Sequence, residues 1–199
     1  MIKNIIFDIG KVLVHFDWED YLAAFQFPKE ETEAIANTMF LSPNWNLVDE
    51  GRLSYDDVEQ IFMDSCPAYA DDIRLVFAHF GDCITRFPYT RHWISSLKQE
   101  GCRIYYLSNY GEYTYRYTKS DLDFLDLMDG GLMSYEIQCL KPDFAIYESL
   151  FRKYQLKPEE CVFIDDNAAN IEAAARLHVH TILFRNYSDA QAQLRQLLS

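Results

Sequence analysis

A chain of 199 residues, 49% of them hydrophobic, can bury one compact core, or a core with an inserted subdomain, without staples. Its formal net charge of −13 excludes general nucleic-acid affinity, because a phosphate backbone is repelled before any contact forms. Five cysteines, Cys66, Cys83, Cys102, Cys139 and Cys161, are odd in number and lack metal-type spacing, which predicts buried free thiols and a reducing compartment.

The N-terminus enters a strand at once, with no leader pattern and no membrane-length apolar run, so the expectation is a soluble cytoplasmic protein. The charge is unevenly placed. Residues 15 to 90 hold 15 Asp and Glu against 4 Lys and Arg, a net of −11, leaving a nearly neutral remainder. Such an acidic shell suits a small anionic substrate gripped locally better than a long polyanion. Nothing in the sequence sets the oligomeric state.

The run Asn4 to Val14 is a short apolar segment carrying Asp8 and then Gly10. Its pattern predicts a buried parallel strand with an acid at the carboxyl end, where open α/β sheets bind ligands. After Val14 the period becomes helical. Asp17 is placed to cap a helix near Trp18, Phe27 and Pro28 break it, and Lys29 to Phe40 reads as a second helix. Asn44 to Arg52 reads as a short helix and turn, Ser54 caps another helix, and a further one opens near Asp71 or Asp72. Pro88 marks the return to the core. Thr90 to Glu100 is amphipathic and stops at Gly101. Arg103 to Ser108 is a strand, Glu112 to Lys119 a helix, and Leu132 to Ser134 a short strand. Asp143 to Tyr154 is helical, Cys161 to Asp165 a strand, Ala168 to Leu177 a helix, and His180 to Phe184 the last strand. Strands alternating with helices predict an α/β fold with a parallel sheet whose strand tips converge on one edge.

Three stretches downstream of Asp8 fall at predicted strand ends or helix starts: Tyr105 to Asn109, Leu140 to Asp143, and Val162 to Asn170. With the first, in this order and spacing, they resemble the four signature motifs of the haloacid dehalogenase-like hydrolase superfamily. The resemblance spans essentially the whole chain and implies a Rossmann-like parallel-sheet core, residues 1–14 and 87–199, with an inserted all-helical cap, residues 15–86. It implies a phosphatase in which Asp8 is the nucleophile forming an aspartyl-phosphate. Mg²⁺ is then held by Asp8, the carbonyl of Gly10 and a carboxylate from the Asp165 and Asp166 pair, Asp166 being the better placed. Ser108 and Asn109 donate to the phosphoryl group or near the nucleophile, and Lys141 supplies compact positive charge, its backbone fixed by Pro142. Asn170 stands where the family more often has an aspartate, lies one helical turn beyond Asp166, and can orient its neighbours but adds no charge. Taken singly, Ser108 and Asn109 read as a strand-ending turn, Lys141 as a solvated lysine, and the paired aspartates as helix caps. Four such coincidences at one edge favour a shared site.

The first motif departs from the commonest family form, which has a second aspartate two residues after the nucleophile. Here that place is Gly10, and the segment Asp8 to Val12 resembles the Asp-x-Gly-x-Val subgroup that includes bacterial glucose-1-phosphate phosphatases. The missing acid, a role contributing about 10²–10⁴-fold, is compatible with a phosphatase of sugar phosphates whose anomeric leaving group needs little protonation. It also fits a 2-haloacid dehalogenase, or a phosphate or metal binder with little turnover. Clustered acids at Asp165 and Asp166 favour the phosphatase. Replacement acid or base groups are sought in His15, Asp17 or a water. Phe16, Trp18, Tyr21, Phe40 and Trp45 include a possible platform for a sugar face, and Arg52, Arg74 and Arg86 are the candidates for a second anionic group.

Overall fold

The computed structural model describes residues 2–198. In chain order the strands are β1 (Asn4–Phe7), β2 (Val14–Phe16), β3 (Ile84–Arg86), β4 (Arg103–Ser108), β5 (Gly130–Met133), β6 (Cys161–Asp165) and β7 (His180–Leu183). Helices α1 (Trp18–Ala24), α2 (Lys29–Thr38), α3 (Trp45–Glu50), α4 (Tyr55–Ser65) and α5 (Ala70–His79) lie between β2 and β3. Then come α6 (Thr90–Gln99), α7 (Glu112–Tyr117), α8 (Ser134–Ile137), α9 (Phe144–Tyr154), α10 (Ala168–Arg176) and α11 (Tyr187–Leu198).

Five strands form one parallel sheet in the order β5-β4-β1-β6-β7, with β1 central. All four β1 residues are buried, the signature of a strand covered on both faces. Ile5 and Phe7 enter one apolar layer with Trp93 and Ile94 of α6, while Ile6 enters the other with Ile146 and Leu150 of α9. The alternation follows from the two-residue period of a strand. It leaves the carboxyl tips of β1, β4 and β6, side by side in register, to carry Asp8, Ser108 and Asp165.

β2 and β3 pair antiparallel as a separate two-stranded ribbon, Val14 opposite Arg86 and Phe16 opposite Ile84. The helices they bracket enclose an apolar cluster of their own, including Leu22, Ile35, Met39, Phe62, Phe77 and Phe80. Ser54 caps α4 as expected: its hydroxyl accepts the Asp57 amide at 3.1 Å, and the Asp57 carboxylate accepts the Ser54 amide at 3.3 Å. All five cysteines are free. Among the described residues no helix is long and apolar enough to cross a membrane.

Candidate active site

Asp8 follows the last residue of β1, and its carboxylate is the meeting point of three elements. Oδ1 accepts from the Ile9 amide at 2.8 Å, the Ser108 hydroxyl at 2.7 Å and the Lys141 ammonium at 2.8 Å. None of these donors engages Oδ2. One oxygen is therefore clamped and the other is left for chemistry.

Lys141 bridges Asp8 and Asp165, with Nζ 2.7 Å from Asp165 Oδ2 and only 1% of its side chain exposed. Burial alone pulls its pKa down, but the two carboxylates outweigh that and the net direction is up. Asn109 braces the same residue from behind: its carbonyl accepts the Lys141 amide at 2.7 Å and its amide donates to the Lys141 carbonyl at 3.0 Å. One of the two donors expected to face substrate is thus spent on positioning the lysine. The Lys141–Pro142 peptide is cis.

Asp165 is fully buried and already satisfied. Oδ1 accepts the Asn167 amide at 2.7 Å, and Asn170 Nδ2 donates to both oxygens, at 3.1 and 3.0 Å. Asn170 is itself buried, and its carbonyl accepts from the Tyr147 hydroxyl at 3.0 Å. Asp166, by contrast, lines the open cleft. Helix capping explains neither aspartate, because the cap of α10 is Asn167, whose side chain accepts the Ala169 amide at 2.9 Å.

Asp8, Asp165 and Asp166 offer ligand oxygens that lie within 4.8 Å of one another. One buried ammonium does not balance three carboxylates. Burial raises the pKa of Asp8, with Lys141 opposing and Asp165 adding, and it raises Asp166 in the same way against Lys11 and Lys141. An all-oxygen set carrying this negative excess fits a hard divalent cation such as Mg²⁺. Such an ion would supply charge neutralisation between anionic nucleophile and anionic substrate.

The cleft over these groups has a volume of about 260 Å³ and is also lined by Gly10, Lys11, Phe16, Asp49 and Asn167. It adjoins a mainly apolar chamber of about 140 Å³ bounded by Val14, Phe16, Trp45, Ile84, Tyr110 and Thr114. Gly10, Phe16, Asp49 and Asn109 belong to both.

The four motifs therefore meet at one place, but the acid and base candidates named beside them do not. His15 sits on the β2–β3 ribbon with its ring 3.8 Å from that of Phe87 and Nδ1 3.1 Å from Asp17. Neither His15 nor Asp17 lines the cleft, and Asp17 makes no side-chain cap to α1. The expectation that they replace the missing acid is corrected accordingly. The arginine candidates fall to surface pairing: Arg52 with Glu50, Arg74 with Glu59 and Asp71, Arg86 with Asp123. Of the proposed aromatic platform only Phe16 and Trp45 reach the chamber, with Phe40 packed behind both.

Three cleft residues escaped the sequence reading, one of them Asn167, the cap of α10. Lys11 adopts a left-handed φ of 58°, uncommon for a residue with a Cβ, and no pattern announces it. Asp49 is one acid among many in an acidic segment. Its only signal is a position one helical turn after Trp45.

The sequence profile of the haloacid dehalogenase-like hydrolases matches residues 2–178. The chain belongs to this family. The HAD-like chain is 24% identical to the sesquiterpene phosphatase astK of Aspergillus oryzae, over 98% of its own length and 96% of that protein's. It is 24% identical to the drimenol cyclase drtB of Aspergillus calidoustus, over 99% of its own length but spanning only 37% of that protein. A HAD family enzyme of Bacteroides thetaiotaomicron, solved with magnesium and inorganic phosphate, superimposes with a TM-score of 0.75 at 21% identity, covering 94% of this chain and 98% of that one. The last likeness is one of fold.

Proposed function

We propose that this HAD-like hydrolase is a Mg²⁺-dependent phosphatase of a small phosphorylated metabolite, a sugar phosphate being the substrate class, with Asp8 as nucleophile. The observation that carries this reading is the close set of Asp8, Asp165 and Asp166 around a single buried lysine. In it Asp8 and Asp166 hold the cation together with the Gly10 carbonyl, and Asp165 anchors Lys141 and completes the negative excess. Ser108 and Lys141 already converge on Asp8, so both can follow the phosphoryl group as charge shifts toward it. The phosphatase named among the relatives and the magnesium and phosphate bound by the Bacteroides enzyme support the same reading. A 2-haloacid dehalogenase attacks a neutral carbon centre and has no use for three acids gathered against one cation.

Residues 15–86 are read as the cap, joined to the core through the β2–β3 ribbon, with the leaving group seated in the chamber against Phe16 and Trp45. A sugar laid with one face on an aromatic wall suits a space of about 140 Å³.

Phosphate release from a panel of sugar 1- and 6-phosphates, aryl phosphate and prenyl phosphate, with Mg²⁺ and then with EDTA, tests the reading. Release from at least one ester that EDTA abolishes is expected. Release unaffected by EDTA would contradict the metal site. A blank panel together with halide release from 2-haloacids would replace the phosphatase by a dehalogenase.

A further inference from the structure

The acid absent at Gly10 is not excluded by space. A Cβ at Gly10 would meet no atom within 4 Å, and its backbone is not in the left-handed region. Glycine is therefore not required there by packing, and any proton for the leaving group has to come from another side chain that reaches the cleft.

Asp49 is the one titratable side chain shared by the cleft of Asp8 and Lys141 and the chamber behind it. It therefore stands at the junction between the reacting phosphorus and the group that must depart. Its placement is held from the core. The Ser134 hydroxyl, fully buried, donates to the Asp49 carbonyl at 2.6 Å and accepts the Tyr110 amide at 2.9 Å. The Gly111 amide faces the Asp49 carboxyl and favours its charged form. Gly111 must be glycine for this approach, since a Cβ would fall 2.2 Å from the Val48 carbonyl oxygen. The segment that presents Ser108 to the nucleophile thus continues, three residues on, into the segment that fixes Asp49.

We propose that Asp49, delivered by α3, is the catalytic general acid and then the general base of this enzyme, in place of the acid missing at Gly10. The proposal rests on the phosphatase reading. In the first step an Asp8 oxygen bonds to phosphorus, the ester P–O bond breaks, and the Asp49 proton passes to the departing oxygen. In the second, a water oxygen bonds to phosphorus, the Asp8–phosphorus bond breaks to regenerate the carboxylate, and the water proton returns to Asp49. Burial pushes the Asp49 carboxyl up to about 7, Asp8 adding to the rise while the Gly111 amide and Lys141 oppose it. A side chain that first gives and then takes back one proton is what the two steps require.

The test compares wild type with Asp49→Asn, which keeps the acceptor for Gly111, on p-nitrophenyl phosphate and on the primary-alcohol ester the wild type hydrolyses fastest. kcat/KM covers the steps through release of the leaving group. For the alcohol ester it should fall about 10²–10⁴-fold, while for the aryl ester, whose leaving group needs no proton, it should change by less than about fivefold. The variant should also show a burst of nitrophenol as the second step slows, and Gly10→Asp added to it should recover alcohol-ester turnover. An equal loss on both esters overturns the acid role, and unchanged alcohol-ester turnover overturns the proposal while leaving the phosphatase reading intact. A wild type that releases phosphate only from anomeric sugar phosphates overturns the acid role and leaves the phosphatase reading, and one that releases it from no ester removes both.

Discussion

Asp8→Asn is expected to lower phosphate release by about 10⁴-fold or more while leaving the fold in place. The amide cannot form the acyl-phosphate, so no compensating route exists through the same atom. The fold should survive because asparagine keeps an oxygen for the Ile9 amide and the Ser108 hydroxyl, and Lys141 keeps its second partner in Asp165. Circular dichroism and the melting temperature should match those of the wild type. Residual turnover within about tenfold of wild type would show that Asp8 is not the nucleophile, the loss expected of one being far larger.

Lys141→Met should be the most destabilising single change at the site. The ammonium is 2.8 Å from Asp8 and 2.7 Å from Asp165 with almost no water contact, so its removal leaves two buried carboxylates facing each other. Breaking a buried pair from one side costs about 3–5 kcal/mol, or roughly 6–20 °C in a chain of this size. Activity should be lost as well. Mg²⁺ should raise the melting temperature of this variant more than that of the wild type, because Asp8 and Asp165 then lose the one ammonium that bridges them. Adding Asp165→Asn should restore part of the lost stability, since the two sites share one network. A melting temperature unchanged by Lys141→Met would mean that the lysine carries no electrostatic burden in the fold.

Much of this architecture is legible along the chain, for identifiable reasons. β1, β4 and β6 are largely buried, so each shows an apolar stretch, Ile5 to Phe7, Ile104 to Leu107 and Cys161 to Ile164, followed by a polar residue, and those residues are Asp8, Ser108 and Asp165. Ser54 announces α4 because a capping box is a local signal. The β2–β3 ribbon is not legible: strands of three residues carry no measurable alternation, and the pairing joins segments about 70 residues apart. That pairing is also what misled the reading of His15, which is adjacent to the site in sequence yet packs on Phe87.

Asp49 shows the opposite failure. Its selection from the acidic insert depends on Ser134 and Gly111, contacts far away in sequence that no local pattern encodes. The division between Asp165 and Asp166 comes from the motif resemblance, which singles out Asp166, and its physical reason is that Lys141 and Asn170 occupy the carboxylate of Asp165.

The central claim, phosphoryl transfer to Asp8, is tested most directly by quenching the wild-type enzyme in acid during turnover and mapping phosphorylated peptides by mass spectrometry. The account predicts a hydroxylamine-sensitive phosphoryl group on the peptide carrying Asp8, absent in Asp8→Asn and absent when EDTA is present from the start. Steady phosphate release with no adduct in the quenched enzyme, or an adduct on another residue that persists in Asp8→Asn, would contradict it.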